Sequence, residues 1–364
     1  MRWLILVCLA FLLLAAPVYA EEITQEAISD FGASALESAL TEEQQALMDG
    51  ADPLHAPDLG NSVQKMISAA IRGSSGAVRQ AAGHSAVLLS VCLLCSLFTS
   101  SAEGTERVAV MAGVLAIVAV CTDSMGGLVR QASDSVQELS AFSRLYLPVL
   151  AASAAAAGAI TSAPAVYGAT VLISDLMLDL IGNLLIPGIY LFLAMQAADC
   201  ALEHSPLKRF CSLVSWGIKG LLKLILYGFT GFLAATHVVA GSADAMTAKA
   251  AKLTLSGVVP VVGSILSDAS ETLLVSASLI RNSIGVYGLL AVLAVVILPF
   301  LRIAIWYLSL RLTAAAAGVT SCSPLVQMLD AAAEAMAMLL AMTGTAALLT
   351  VISVVCTLRL AGGT

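Results

Sequence analysis

The chain has 364 residues, of which 59% are hydrophobic and only 11% charged, with a mean hydropathy of +0.96. Soluble domains carry about a quarter charged residues, so this composition excludes an ordinary soluble globular protein and points to a polytopic membrane protein. The net charge of −7 sits almost wholly in residues 21–81, where ten acidic side chains stand against Lys65, Arg72 and Arg79; no basic face is left to bind nucleic acid.

The first 20 residues read as an export signal. Arg2 supplies the positive start, residues 3–16 the apolar core, and Pro17-Val18-Tyr19-Ala20 the small residues before a cut after Ala20. An uncleaved first membrane helix is the alternative, although the run is short for one. Residues 21–81 are expected to form an acidic extracytoplasmic helical segment. Thr41 followed by Gln44 has the spacing of a capping box, and Gly50 to Pro53 and Pro57 supply breaks. Residues 61–79 have the period of an amphipathic helix lying at the interface, with Val63, Met66, Ile67 and Ala70 on one side.

Residues 82–364 form the expected membrane domain. Apolar runs fall near 84–100, 108–122, 145–172, 177–198, 221–241, 284–308 and 335–357. A span needs about 20 residues, so most of these qualify, and Pro148, Pro164 and Pro299 mark breaks or bends. The predicted fold is an all-α polytopic transmembrane helical bundle of about six to eight spans, with a short N-terminal helical extramembrane segment. An exported start puts residues 123–144 outside, as a connection. Carried forward, it also puts Lys208, Arg209, Lys219 and Lys223 outside, against the positive-inside tendency.

Catalytic and metal signatures are missing from the sequence. Cys92 and Cys95 form a C-x-x-C inside an apolar run, with no second pair or nearby histidine at a zinc-like spacing, and read as buried small hydrophobes. There is no G-x-x-x-x-G-K-[ST] loop, no H-E-x-x-H and no G-x-S-x-G, and His55, His84, His204 and His237 are scattered. The chain is therefore expected not to be an enzyme and to carry no cofactor or metal. Asp175 and Asp179 are four apart, so a helix sets both carboxylates on one face. Two readings follow: proton or cation coupling, or a plain location between two spans. Lys223, Arg302, Arg311 and Arg359 lie near span ends, from which they can reach headgroups.

Between about 244 and 283 the chain turns polar. If helical, residues 264–281 bring Ser264, Ser267, Asp268, Glu271 and Ser278 near one another, opposite Ile265, Leu266, Leu273 and Ile280, while Pro260 and Gly263 break the chain just before. Lipid has no use for this many polar groups. A surface helix, a re-entrant or pore-lining element and a partner-docking element all fit the periodicity.

The order of residues in that stretch resembles the bacterial stage III sporulation protein AE family. The resemblance is carried by Ala251-Lys252, Pro260-Val261, Gly263, Asp268-Ala269, Glu271-Thr272, Ser276-Ala277-Ser278-Leu279, and Asn282 ahead of Gly285. The order of apolar segments agrees along most of the chain; the first 80 or so residues agree only in character. The resemblance implies a component of the mother cell–forespore channel complex, a secretion-like assembly needed for late forespore gene expression and spore formation. It implies a multi-pass location in the mother-cell membrane around the forespore. The implied partners are other proteins of the stage III sporulation A operon, including a separate ATPase and ring-forming proteins, and indirectly stage II sporulation protein Q. Lys252, Pro260, Gly263, Asp268, Glu271 and Asn282 are the candidate functional or packing positions. The alternative is an independent secondary transporter of an unknown solute, with Asp175 and Asp179 as ion-coupling groups.

Overall fold

A computed structural model describes residues 40–48, 59–101, 106–156, 162–201, 207–258, 263–319 and 323–360. The signal-peptide reading and Pro260 lie outside the described residues. Every described element is helical, with no strand among them.

The first helix, α1 (Glu42–Leu47), forms because Thr41 and Gln44 cap it reciprocally. The Gln44 amide N–H donates to Thr41 Oγ1 at 3.4 Å, and the Thr41 amide N–H donates to Gln44 Oε1 at 2.9 Å. The amphipathic segment becomes α2 (Leu59–Gly73), which lays Met66 and Ala70 against a later helix and leaves Ile67 and Ile71 exposed. It stops short of residue 79. Ser74 lies at a junction rich in glycine and serine, its hydroxyl donating to the Ala70 carbonyl, and α3 (Ser75–Ser101) starts at once.

The largest departure from the sequence reading is α4 (Glu106–Ala156). It runs for 51 residues, about 77 Å at 1.5 Å per residue, and passes through Pro148. Residues 123–144 are part of this helix and not a connection. Their composition is polar, yet Met125, Leu128, Val129, Ala132, Val136, Leu139 and Phe142 are buried at a helical period.

Next come α5 (Ser162–Leu180), a π-helical turn (Ile181–Leu185) and α6 (Ile186–Ala201), which together make one rod. The apolar runs 145–172 and 177–198 are thereby redistributed: the start of the first ends α4 and the rest joins the second. Pro164 falls in the first turn of α5, where its missing N–H costs nothing. The last three helices are α7 (Leu207–Val258), α8 (Gly263–Ala317), which continues through Pro299, and α9 (Ser323–Leu360).

Among the described residues, six stretches are long and apolar enough to cross a membrane: Ser75–Thr99, Arg107–Ser153, Thr170–Ala201, Leu207–Phe232, Asn282–Ala317 and Ser323–Val355. The protein is a multi-pass membrane protein. At its centre α8 and α9 pack antiparallel, with Arg311 beside Asp330 near the turn and Phe300 against Gly344 further along. Buried Ala331, Ala332, Ala333 and Ala335 let α9 sit close to its neighbours. The middle of α4 packs on both, and α3, α5, α6 and α7 surround them.

Candidate functional site

Polar groups inside and around this bundle occur as discrete nodes. The first joins α4 to α5. Arg144 grips the Asp175 carboxylate with Nη2 at 2.6 and 2.7 Å from its two oxygens and Nε at 2.9 Å, while Ser140 Oγ donates to the same carboxylate at 2.9 Å. A fork of this kind fixes orientation as well as charge. The node borders a shallow recess shared by Ser140, Ser143, Ser174 and Leu178. Behind it, Ser174 hydrogen-bonds Ser353 of α9, and one turn earlier Thr170 Oγ1 is buried with no hydrogen-bond partner among the described residues. Asp179 lies on the same side of α5 and is exposed. The helix does set Asp175 and Asp179 one turn apart, within a candidate span and not in a loop between two.

A second node joins α7 to α9. Glu334 accepts from Lys219 Nζ at 2.6 Å and from buried Ser215 at 2.6 Å. The third spans the α8–α9 turn, where Arg311 Nη1 meets Asp330 at 2.8 Å and the guanidinium lies 6.0 Å from the Tyr307 ring centre. All three pairs are partly exposed, so they set register more than they add stability.

The seam between α4 and α8 is tighter. Tyr146, 0% exposed, donates its hydroxyl to the Ile284 carbonyl at 2.9 Å and stacks on Phe142 with ring centres 5.2 Å apart. Gly288, one turn beyond Ile284, makes this approach feasible: a Cβ there would overlap the Tyr146 ring. At the other end of the seam, Ser124 hydrogen-bonds His84 of α3, whose ring packs 5.0 Å from Trp306 of α8.

The positions singled out in the polar stretch are less closely constrained. Lys252 lies near the end of α7, Gly263 is the first residue of α8, and Asp268 and Glu271 follow within its first three turns. Asn282 is exposed. The break expected around Pro260 and Gly263 falls on residues 259–262, outside the described residues. Side chains between 233 and 281 are outside the described set, so none of these residues is assigned a neighbour. Cys92 and Cys95 are buried, as expected for small hydrophobes, with Cys95 Sγ 3.2 Å from the Ala109 carbonyl. Among the described residues, no three His, Cys, Asp or Glu side chains come together to hold a metal.

Sequence reasoning missed Arg144, Glu334, Tyr146 and Gly288. Each acts through a partner 31 to 142 residues away, and no local spacing announces such a pairing.

Residues 46–361 match the family model for stage III sporulation protein AE. The chain is also 21% identical over 247 residues to the stage III sporulation protein AE of Bacillus subtilis strain 168, covering 67% of this chain and 62% of that protein. It thus spans less than two thirds of that relative's length. No solved structure matches.

Proposed function

Because this chain belongs to the stage III sporulation protein AE family, we propose that it works in sporulation as the membrane component of a mother cell–forespore channel complex. The observation that carries this reading is the family match over residues 46–361, which takes in all six candidate spans. The protein sits in the mother-cell membrane around the forespore. There it gives a multi-pass platform or passage to partners from the same operon: a separate ATPase, ring-forming proteins and, indirectly, stage II sporulation protein Q. Energy comes from the separate ATPase, in keeping with a sequence that has no phosphate-binding glycine loop. Late forespore gene expression depends on the assembly.

An independent secondary transporter built on Asp175 and Asp179 is the competing reading. Its coupling carboxylate would have to trade protons or cations while held by Arg144 and Ser140. Deleting the gene in the native host separates the two. Forespores that complete engulfment, then shrink and never start late gene expression support the channel-complex reading. Normal heat-resistant spores with a lost solute uptake overturn it in favour of the transporter.

A further inference from the structure

The most apolar of the six spans lies in α8, and one face of α4 beside it is polar over the same depth. Two contacts fix this register. At one end His84 bridges Ser124 to Trp306; at the other the Tyr146 hydroxyl reaches the Ile284 carbonyl. Residues 124–146 of α4 therefore run alongside residues 284–306 of α8, each about 33 Å long at 1.5 Å per residue. That matches the ~30 Å hydrocarbon thickness of a bilayer.

Along this length the outward side of α4 carries Asp123, Arg130, Asp134, Gln137, Glu138 and Arg144. Thr122, Gly127, Ala141 and Leu145 complete the exposed set, and Leu145, at the end of the stripe, is the one large apolar side chain among them. The outward faces of α5 and α7 differ sharply from this one. Leu172 and Leu176 flank the Asp175 node with Leu172 73% exposed, and Trp216 and Leu224 flank the Lys219 node with Trp216 72% exposed. Those side chains suit lipid. Charges of both signs on an uninterrupted helical stripe do not, because acyl chains offer them neither water nor partners. A second element repeats the pattern. α1, with Glu42 and Glu43 exposed, meets the stripe where Gln44 Nε2 donates to Glu138 at 2.8 Å.

We infer that the outward face of α4 between Asp123 and Arg144 borders water at bilayer depth, as one wall of an aqueous passage. The wall takes water and hydrated polar solutes, and its mixed charge favours neither sign. This deepens the channel-complex reading and rests on it. The gene deletion tests that reading, and the experiment below tests the face alone.

The test uses the full chain in native-host membranes from sporulating cells, with single substitutions Asp134→Cys, Gln137→Cys and Ala141→Cys on the stripe. Leu172→Cys and Leu224→Cys report the apolar side, and Leu139→Cys reports the buried side of α4. A charged, membrane-impermeant thiosulfonate is the probe, and the unsubstituted chain is the blank. Stripe cysteines should react about tenfold faster than all three controls, since only a hydrated thiol ionises to the reactive thiolate. Reactivity that follows the helical period, high at 134, 137 and 141 and low at 139, supports the inference. Stripe cysteines as slow as Leu172→Cys, yet reactive after detergent solubilisation, overturn it, whether lipid or protein covers them. Spore formation by the Ala141→Cys strain confirms that the labelled chain is intact.

Discussion

Two stretches of equal length and equal depth, residues 284–306 of α8 and 124–146 of α4, solve the membrane problem in different ways. The α8 stretch is apolar except for the partly buried Arg302 and is mostly enclosed by neighbours. The α4 stretch is apolar on one side only, where Leu128, Val136, Leu139 and Phe142 face inward, and polar on the other. A helix of the first kind is at home in lipid by itself; one of the second needs a protein wall on one side and a polar medium on the other. Span detection by average hydrophobicity finds the first and truncates the second.

The seam between the stretches is where the comparison is most easily broken. Gly288→Ala pushes a methyl group into the Tyr146 ring and is expected to destabilise the bundle by about 3 kcal/mol, the upper end for overpacking. Thermal unfolding of the detergent-solubilised protein measures it, with Gly217→Ala, whose added methyl meets open space, as the matched control. Equal melting points for the two would mean that α4 and α8 do not meet this closely.

A smaller loss is expected on removing either side of the Arg144–Asp175 fork. Arg144→Ala and Asp175→Ala should each lower the melting point, and the exchange of Arg144→Asp with Asp175→Arg should recover most of the loss. Without that recovery, the two groups act separately. Tyr146→Phe removes one buried hydroxyl, but the Ile284 carbonyl keeps its helical donor, so about 1 kcal/mol is expected in the same assay. Least of all, Glu138→Ala unlatches α1 at Gln44 while leaving the Thr41–Gln44 cap in place, and should cost about 0.5 kcal/mol, within the range of an exposed substitution. Protease cleavage near Leu47 should nevertheless quicken; unchanged cleavage would mean that α1 is held by other contacts.

Local chemistry was legible in the sequence. The Thr41–Gln44 cap, burial of Met66, Ala70, Cys92 and Cys95, the helical class and the apolar spans all follow from patterns within a few turns. The continuity of α4 was not, because residues 123–144 bury every third or fourth side chain while their average polarity resembles that of a loop. The merging of two apolar runs into the α5–α6 rod was hidden for a related reason. Ser174 and Asp175 separate the two runs in the sequence, whereas α5 continues through both and on through a π-helical turn at Ile181–Leu185. The polar stretch that drew most notice in the sequence places Lys252 on α7 and Gly263, Asp268 and Glu271 on α8, with their side chains outside the described residues. The pairs that do meet, Arg144 with Asp175 and Glu334 with Lys219, depend on which helices are adjacent, which spacing along one chain does not encode.

The bond from Tyr146 to Ile284 also imposes a timetable. Its partners are 138 residues apart, so at 5–20 residues per second the ribosome needs on the order of ten seconds to deliver Ile284 after Tyr146. Throughout that interval the charged middle of α4 has α3, α5 and α6 to pack on but not α8, so the seam with α8 closes as a late step of biogenesis.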